Sequence, residues 1–404
     1  MNKPLVVIFA AICLDAIGIG LIFPILPRLV EDVTHASDIA VYIGLLAALY
    51  AAMQFVFAPV LGALSDRLGR RPVLLLSLSG AAINYLVMAF APSLWLLLVG
   101  RAIAGLTSAN ISVATAYITD ISPEDIRARR FGLFNAMFGI GFILGPVLGG
   151  ILGDYWLRLP FIAAAALNAG NLLLALFVLP ESRTPTREPI DLAAINPFRP
   201  MLWAFSMKAL MPVIMLFFVL SATGEVYGTC WALWGSDVFG WNGLWIGLSL
   251  GTFGVCQTLA QALLPGPAVK LLGERGAILA GIAGACAALI VLAYAEHGWM
   301  VFAIMPVVAL AGMGTPALQS LATRLVDESR QGQFQGVLAS AMSLASIIGP
   351  LVFSSFYFVV RPHWPGAIWL SAVAVNALAV PLVLSLRIGP SPKDRSQKPN
   401  DQLC

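Results

Sequence analysis

Apolar runs long enough to cross a bilayer as a helix, about 20 residues each, recur along the whole chain with short polar stretches between them. They lie near residues 5–27, 41–63, 73–91, 95–118, 132–153, 159–179, 208–233, 243–264, 276–295, 299–321, 334–358 and 364–386. Lipid offers backbone groups no hydrogen-bonding partner, so runs of this kind satisfy their backbone internally, as helices. The pattern predicts an all-α membrane protein with twelve transmembrane helices. The first run carries Asp15 and continues into Pro24 and Pro27 with no small-residue cleavage site. It reads as a retained helix rather than a secretory leader.

The longest polar interruption begins at Glu181 and holds prolines at 185, 189, 197 and 200. It divides the chain into a six-helix bundle over 1–180, a linker over 181–202 and a second six-helix bundle over 203–388. A polar tail over 389–404 follows and is expected to be disordered. The bundles repeat at an offset of 204 residues: Gly62, Leu68 and Gly69 match Gly266, Leu272 and Gly273, Glu124 matches Glu328, Gly132 matches Gly336, and Gly145-Pro146 matches Gly349-Pro350. Internal symmetry of this kind marks secondary transporters, with the substrate site near the midplane between two pseudo-symmetric halves.

Composition agrees with a membrane protein, at 59% hydrophobic and 11% charged residues, where soluble domains carry about 25% charged. Basic residues gather at one set of span ends, among them Arg67, Arg70, Arg71, Arg127, Arg129, Arg130, Lys208, Lys270, Arg275 and Arg387, while the opposite ends carry only Arg28, Arg158 and Arg361. The positive-inside rule then puts both termini, the linker and the tail in the cytoplasm. The lipid bilayer is the expected partner, and no nucleic acid is expected.

An ionisable side chain inside hydrocarbon costs roughly 2.5–3.5 kcal/mol on insertion scales, so it has a partner or a wet cavity. Asp15 in the first span, Arg101 in the fourth and Glu225 in the seventh qualify. The first and seventh spans correspond across the repeat. One acid is therefore expected on each side of a central cavity, positioned to take up and release a proton; the alternative is a carboxyl hydrogen-bonded to a neighbouring helix. Arg101 reads as a partner of Asp15, an anchor for an anionic group, or a cation that steers proton release. Uncharged amides at Gln54, Asn84, Gln257, Gln261 and Gln319 suggest a polar substrate cavity, with interhelical hydrogen bonds as the alternative. Gln257 and Gln261, four apart, share a helix face.

Glycines 141, 145 and 149 fall on one face of the fifth span, where they permit close backbone approach, and Pro146 removes a donor and bends the helix. These four residues (Gly141, Gly145, Pro146 and Gly149) read as packing and hinge. Trp231, Trp234, Trp241 and Trp245 read as an interfacial belt, with the lining of a mouth for aromatic substrates as the alternative. The five cysteines show no metal or disulfide spacing, and the three histidines (35, 297, 363) fall at outer loops. No metal site, cofactor or enzymatic activity is expected.

The stretch Gly62–Pro72 packs Asp66, Arg67, Arg70 and Arg71 between two apolar runs. Its glycines and closing proline predict a tight turn rather than helix. Gly62, Ser65, Asp66, Gly69, Arg70 and Arg71, with Asp120 and the Arg127–Arg130 cluster, are expected to form a cytoplasmic gate. In this reading a latch of ion pairs holds the outward-open state and breaks when the halves rock.

These motifs resemble the major facilitator superfamily: the Gly62–Arg71 loop, Gly100-Arg101, and the antiporter-type Gly145-Pro146 segment. More narrowly, Leu14–Pro24, Leu46–Gln54, Ser65–Ser77, Trp231–Trp241 and Pro316–Gln319 are similar to the bacterial tetracycline efflux proteins. The resemblance implies a proton-coupled, monomeric exporter in the bacterial inner membrane. Its small-molecule drug can enter as a divalent metal chelate, in exchange for protons. It also implies roles for Asp15, Gln54, Ser65, Asp66, Arg70, Arg101, Asp120 and Gln261. The chain departs from that pattern at Asn84, where the family has an acid, at Gln257, where well-known members have histidine, and at Ala285, where they have aspartate. All three departures remove a titratable group, and Glu225 is the candidate replacement proton carrier. Another amphiphilic antibiotic, such as a phenicol, or a broader drug range is the alternative cargo; a metabolite transporter is the other.

Overall fold

The computed structural model describes residues 3–36, 38–108, 110–183, 196, 198, 210–324, 326 and 331–386. The helices of the first half are α1 (Lys3–Ile22), α2 (Leu26–Thr34), α3 (Ala40–Leu68), α4 (Arg70–Phe90), α5 (Leu94–Leu106), α6 (Asn110–Asp120), α7 (Glu124–Tyr155) and α8 (Leu159–Val178). Those of the second half are α9 (Met211–Phe239), α10 (Gly243–Leu263), α11 (Pro265–Ala293), α12 (Gly298–Ala309), α13 (Thr315–Arg324), α14 (Gln331–Val360) and α15 (Ala367–Ser385). Twelve segments of the described chain are long and apolar enough to span a membrane, matching the count read from the sequence. Most of the linker (184–195, 197, 199–202) and all of the tail lie outside the described residues.

Two of the spans are broken rather than continuous. The fourth is α5 and α6, interrupted after Thr107, whose hydroxyl folds back onto the Ile103 carbonyl at 2.8 Å. The tenth is α12 and α13, joined by a 3-10 turn over Leu310–Gly314. The two breaks sit at the same offset that relates the repeats. Hydropathy averaged over a span registers neither break, whether its residues are polar, as Thr107 and Ser108 are, or apolar and small, as Leu310–Gly314 are. Interrupted helices at membrane depth persist only where they are buried in protein or line a cavity.

The Gly62–Pro72 stretch differs from the tight turn expected. Helix α3 runs through Gly62 to Leu68, and the reversal is confined to Gly69 at φ 103°. Gly273, its repeat partner, breaks α11 at φ 71°. Only glycine enters that backbone region without strain, so the repeat preserves a conformation. Pro72 is tolerated in the first turn of α4, where its missing N–H has no intrahelical partner to lose. The first span likewise ends at Ile22, short of Pro24, and Pro27 opens α2.

Within the first half α1 packs along α7 and α8; within the second α9 packs along α14 and α15. The halves meet along two seams, α7 against α10 and α3 against α14. Glycine decides the closeness of these contacts. A Cβ on Gly141 would lie 2.7 Å from Ala16 Cβ, one on Gly145 2.8 Å from Gly20 Cα, and one on Gly149 2.8 Å from Leu21 Cα. All three therefore face α1. Gly149→Ala is expected to destabilise the first half by about 1–3 kcal/mol, because the obstruction is backbone and yields only if α1 moves; a lower unfolding temperature of the detergent-solubilised protein is the readout.

The tryptophans correct the expected interfacial belt. Trp231, Trp234 and Trp241 are buried, and only Trp245, at 50% exposure, faces outward. Trp231 and Trp234 pack on Trp369 of α15 with centroids 5.5 and 5.1 Å apart, and Trp231 Nε1 donates to Ser249 Oγ at 2.9 Å. Trp231 and Trp234 are buried because α9 is enclosed by α14 and α15, and Trp241, between α9 and α10, packs on Phe239 and Phe302 with centroids 5.0 and 5.9 Å apart.

Candidate functional site

Two cavities occupy the middle of the molecule. The larger, about 560 Å³, is lined mainly by the first half and includes Asp15, Tyr50, Gln54, Ser77, Asn84 and Arg101. The smaller, about 440 Å³, is lined mainly by the second half and includes Tyr227, Trp231, Phe253, Gln257 and Asn376. Phe23, Glu225 and Gly228 line both, so they form the wall between them. The broken helices face these spaces: Thr107 and Ser108 line the first, Ala311, Gly312 and Gly314 the second.

The larger cavity carries polar atoms with spare bonding capacity. Ser108 Oγ, freed by the break after α5, receives Gln54 Nε2 at 3.1 Å and lies 2.9 Å from the Tyr50 hydroxyl. Ser77 Oγ, Asn84 Oδ1 and Arg101 Nε are buried with no hydrogen-bond partner. The Arg101 guanidinium lies over the Tyr50 ring, 5.7 Å from its centroid. Asp15, 7% exposed, faces the same space. Together with Tyr50, Gln54 and Ser108, these residues give one cavity wall the donors and acceptors that suit a ligand bearing several oxygens and amides. Tyr50, Ser77 and Ser108 were not singled out from the sequence. Tyr50 carried a usable signal, since it precedes Gln54 by one helical turn.

Glu225 sits where Gly349 lets helix α14 approach closely. A Cβ on Gly349 would lie 2.9 Å from Glu225 Cβ, and one turn earlier Ser346 Oγ donates to Glu225 Oε1 at 2.6 Å. The glycine of the second Gly-Pro pair thus brings the serine within reach of the acid. Of the expected amides, Gln54, Asn84 and Gln257 line cavities. Gln261 is exposed beyond them, and Gln319 donates to Gln335 at 3.0 Å between α13 and α14. Asn84, Gln257 and Ala285, the three departures from the tetracycline-efflux pattern, all face cavity space.

At the basic face Arg70 is the hub. Its guanidinium bonds Asp66 at 2.8 Å, Ser65 Oγ at 2.7 Å and Asp120 at 3.1 Å. Arg183 adds a second bond to Asp66 at 2.7 Å, and Glu181 accepts from the Arg70 and Arg71 backbone N–H groups at 2.8 and 3.2 Å. A carboxylate at the start of α4 complements the open donors and the helix dipole there. Arg127 and Arg130 do not join this network among the described residues; they bond Ser122 and Ile121 at the turn before α7. Among the described residues the bonds of the cluster stay within the first half and the start of the linker, where they brace that half; the halves are parted at this face, the arrangement in which the expected outward-open latch is broken.

The ties between halves lie at the opposite face. Asp154, at the end of α7, accepts from the Gly243 and Leu244 N–H groups of α10 at 3.1 and 2.9 Å, and pairs with Arg28 at 2.7 Å. Arg361 bonds Asp237 at 2.7 Å and reaches Asp38 of the first half at 3.6 Å. Along the α7–α10 seam, Cβ atoms on Gly247 and Gly251 would lie 2.9 Å from first-half atoms, whereas towards the basic face Gly132 has nothing within 4 Å. The halves are closed at the sparsely charged face and part towards the basic one. Asp154→Ala removes a helix cap worth about 0.5–2 kcal/mol. It is expected to open this seal, read as a longer spin-label distance between positions 155 and 296.

Two helical halves in an internal repeat, with central cavities whose shared wall is Phe23, Glu225 and Gly228 and a seal at one face, define a membrane transporter. The sequence profile of the Major Facilitator Superfamily matches residues 8–245 and 213–403. The class C tetracycline resistance protein of Escherichia coli is 48% identical over 380 residues, covering 94% of this chain and 96% of that protein. The class G tetracycline resistance protein of Vibrio anguillarum is 41% identical over 386 residues, covering 95% and 98%. Among solved structures, the nucleoside transporter NupG superposes with a TM-score of 0.77 at 16% identity, covering 96% of this chain and 99% of that one, a likeness of fold alone. The chain belongs to the Major Facilitator Superfamily and, within it, to the family of the tetracycline resistance proteins.

Proposed function

We propose that the protein exports tetracycline from the cytoplasm in exchange for protons, by alternating access of the central cavities. The observation that carries this reading is the polar wall of the larger cavity, which brings Tyr50, Gln54, Asn84 and Arg101 together with Asp15. Tetracycline, rich in oxygens and carrying an amide, matches such a wall, and the two resistance proteins supply the drug class. The protein acts as a monomer in the bacterial inner membrane, with the basic face and both termini cytoplasmic. The closed seam then faces the periplasm and the cavities serve the cytoplasmic side. Asp15 and Glu225 carry the exchanged protons, and the drug enters alone or as a divalent metal chelate. No chemical step occurs on the cargo.

One charge moved across 100 mV is worth roughly 2.3 kcal/mol, enough for accumulation of some tens of fold. Cells producing the protein are expected to tolerate tetracycline, and a protonophore is expected to abolish that tolerance. Tolerance that survives collapse of the proton gradient argues against antiport. A phenicol belongs in the same drug panel, because Asn84, Gln257 and Ala285 replace titratable groups on the cavity walls.

A further inference from the structure

The smaller cavity differs in chemistry from the larger one. Among the described residues, Glu225 is the one charged side chain lining it, and that lining contains no lysine, arginine or histidine. Aromatic side chains share this lining. Tyr227 stacks on Phe253 with centroids 5.9 Å apart and planes 14° from parallel, and lies 5.9 Å from Trp231. The helix surface beside Glu225 is bare: a Cβ on Gly224 would meet nothing within 4 Å, and one on Gly228 only Phe23 at 3.6 Å. Ser346, which holds Oε1, lines the larger cavity and not this one.

An aromatic ring attracts a cation to its face through its quadrupole, more strongly where water is excluded. A carboxylate away from water favours a cationic partner for the same reason. A neutral ligand of equal size gains neither. In the larger cavity Arg101 stands among the carboxylates of Asp15 and Glu225; in the smaller one Glu225 has no described cation beside it. A volume of about 440 Å³ is within the range that encloses a drug-sized molecule.

We propose that the smaller cavity is a binding site for lipophilic organic cations with a permanent charge, held by the Glu225 carboxylate and the partly exposed rings of Tyr227 and Phe253, and that such cations are a second class of exported substrate. The export step rests on the transport reading above; the site does not depend on which antibiotic is carried.

The test compares tetraphenylphosphonium with its neutral relative triphenylphosphine oxide, each bound to the purified full-length protein in detergent. The cation is expected to bind at least about ten-fold more tightly. In Glu225→Gln the two affinities converge to within about two-fold, with the neutral compound unchanged as evidence that the cavity is intact. In Phe253→Leu, which keeps the carboxylate, the cation loosens by roughly five-fold and the neutral compound does not. Asp15→Asn retains the selectivity. Equal binding by the unaltered protein, or selectivity that survives both Glu225→Gln and Phe253→Leu, overturns the proposal. So does selectivity lost in Asp15→Asn but kept in Glu225→Gln. Tetracycline extrusion is measured in the same cells: extrusion without cation selectivity removes this inference alone, and cation selectivity without extrusion removes the tetracycline assignment alone.

Discussion

Glu225→Gln is expected to reduce tetracycline accumulation in inverted vesicles from some tens of fold to about one, while exchange of labelled for unlabelled drug continues. The substitution removes the titratable group and keeps its shape. A glutamine carbonyl still accepts the bond that Ser346 donates at 2.6 Å, and the close approach of Gly349 is unaffected because it meets the β and γ carbons. The variant therefore separates a proton carrier from a structural hydrogen bond. Accumulation that persists assigns the exchanged proton to Asp15 alone. Loss of both accumulation and exchange points instead to the packing of α9 on α14, and Ser346→Ala then provides the comparison.

The second large effect is expected at Arg70. Arg70→Ala removes a guanidinium that is 7% exposed and leaves Asp66 and Asp120 each short of a partner. Breaking a fully buried ion pair costs about 3–5 kcal/mol. Here the Asp66 side chain is 53% exposed and keeps Arg183, so the cost is placed lower, at about 2–3 kcal/mol. Thermal unfolding should show a transition roughly 5 °C lower. Arg70→Lys should recover little, since an ammonium does not reproduce the fork that engages Ser65, Asp66 and Asp120 together. Arg67→Ala, on the exposed face of the same turn, serves as the control and should leave the transition in place. An unchanged transition for Arg70→Ala would mean that the cluster does not brace the first half.

Both expectations grow from residues that the sequence already marked. Asp15, Arg101 and Glu225 are conspicuous because charge is rare inside apolar runs, and the structure puts all three on cavity walls. The amides were harder to read. Gln54, Asn84 and Gln257 line cavities, whereas Gln319 is spent on Gln335 and Gln261 is exposed. An amide in an apolar helix signals a polar neighbour, and sequence does not say whether that neighbour is a helix or a ligand. Tyr50, Ser77 and Ser108 were missed because serine and tyrosine are ordinary in membrane helices.

Sequence by itself determined the twelve spans, the repeat and the asymmetry of basic charge, because each follows from the cost of placing polar groups in lipid. It also marked Gly69 and Gly273, whose backbone conformation only glycine adopts freely. The tertiary structure decided what depends on which helices become neighbours. It split the fourth and tenth spans, drew Trp231, Trp234 and Trp241 into the core, and confined the Arg70 network to one half. It also closed the halves through Asp154 and Arg361 at the face where basic residues are few. Hydropathy measures one residue against lipid. A cavity, a brace or a seal is a relation between residues far apart in the chain, and only packing fixes it.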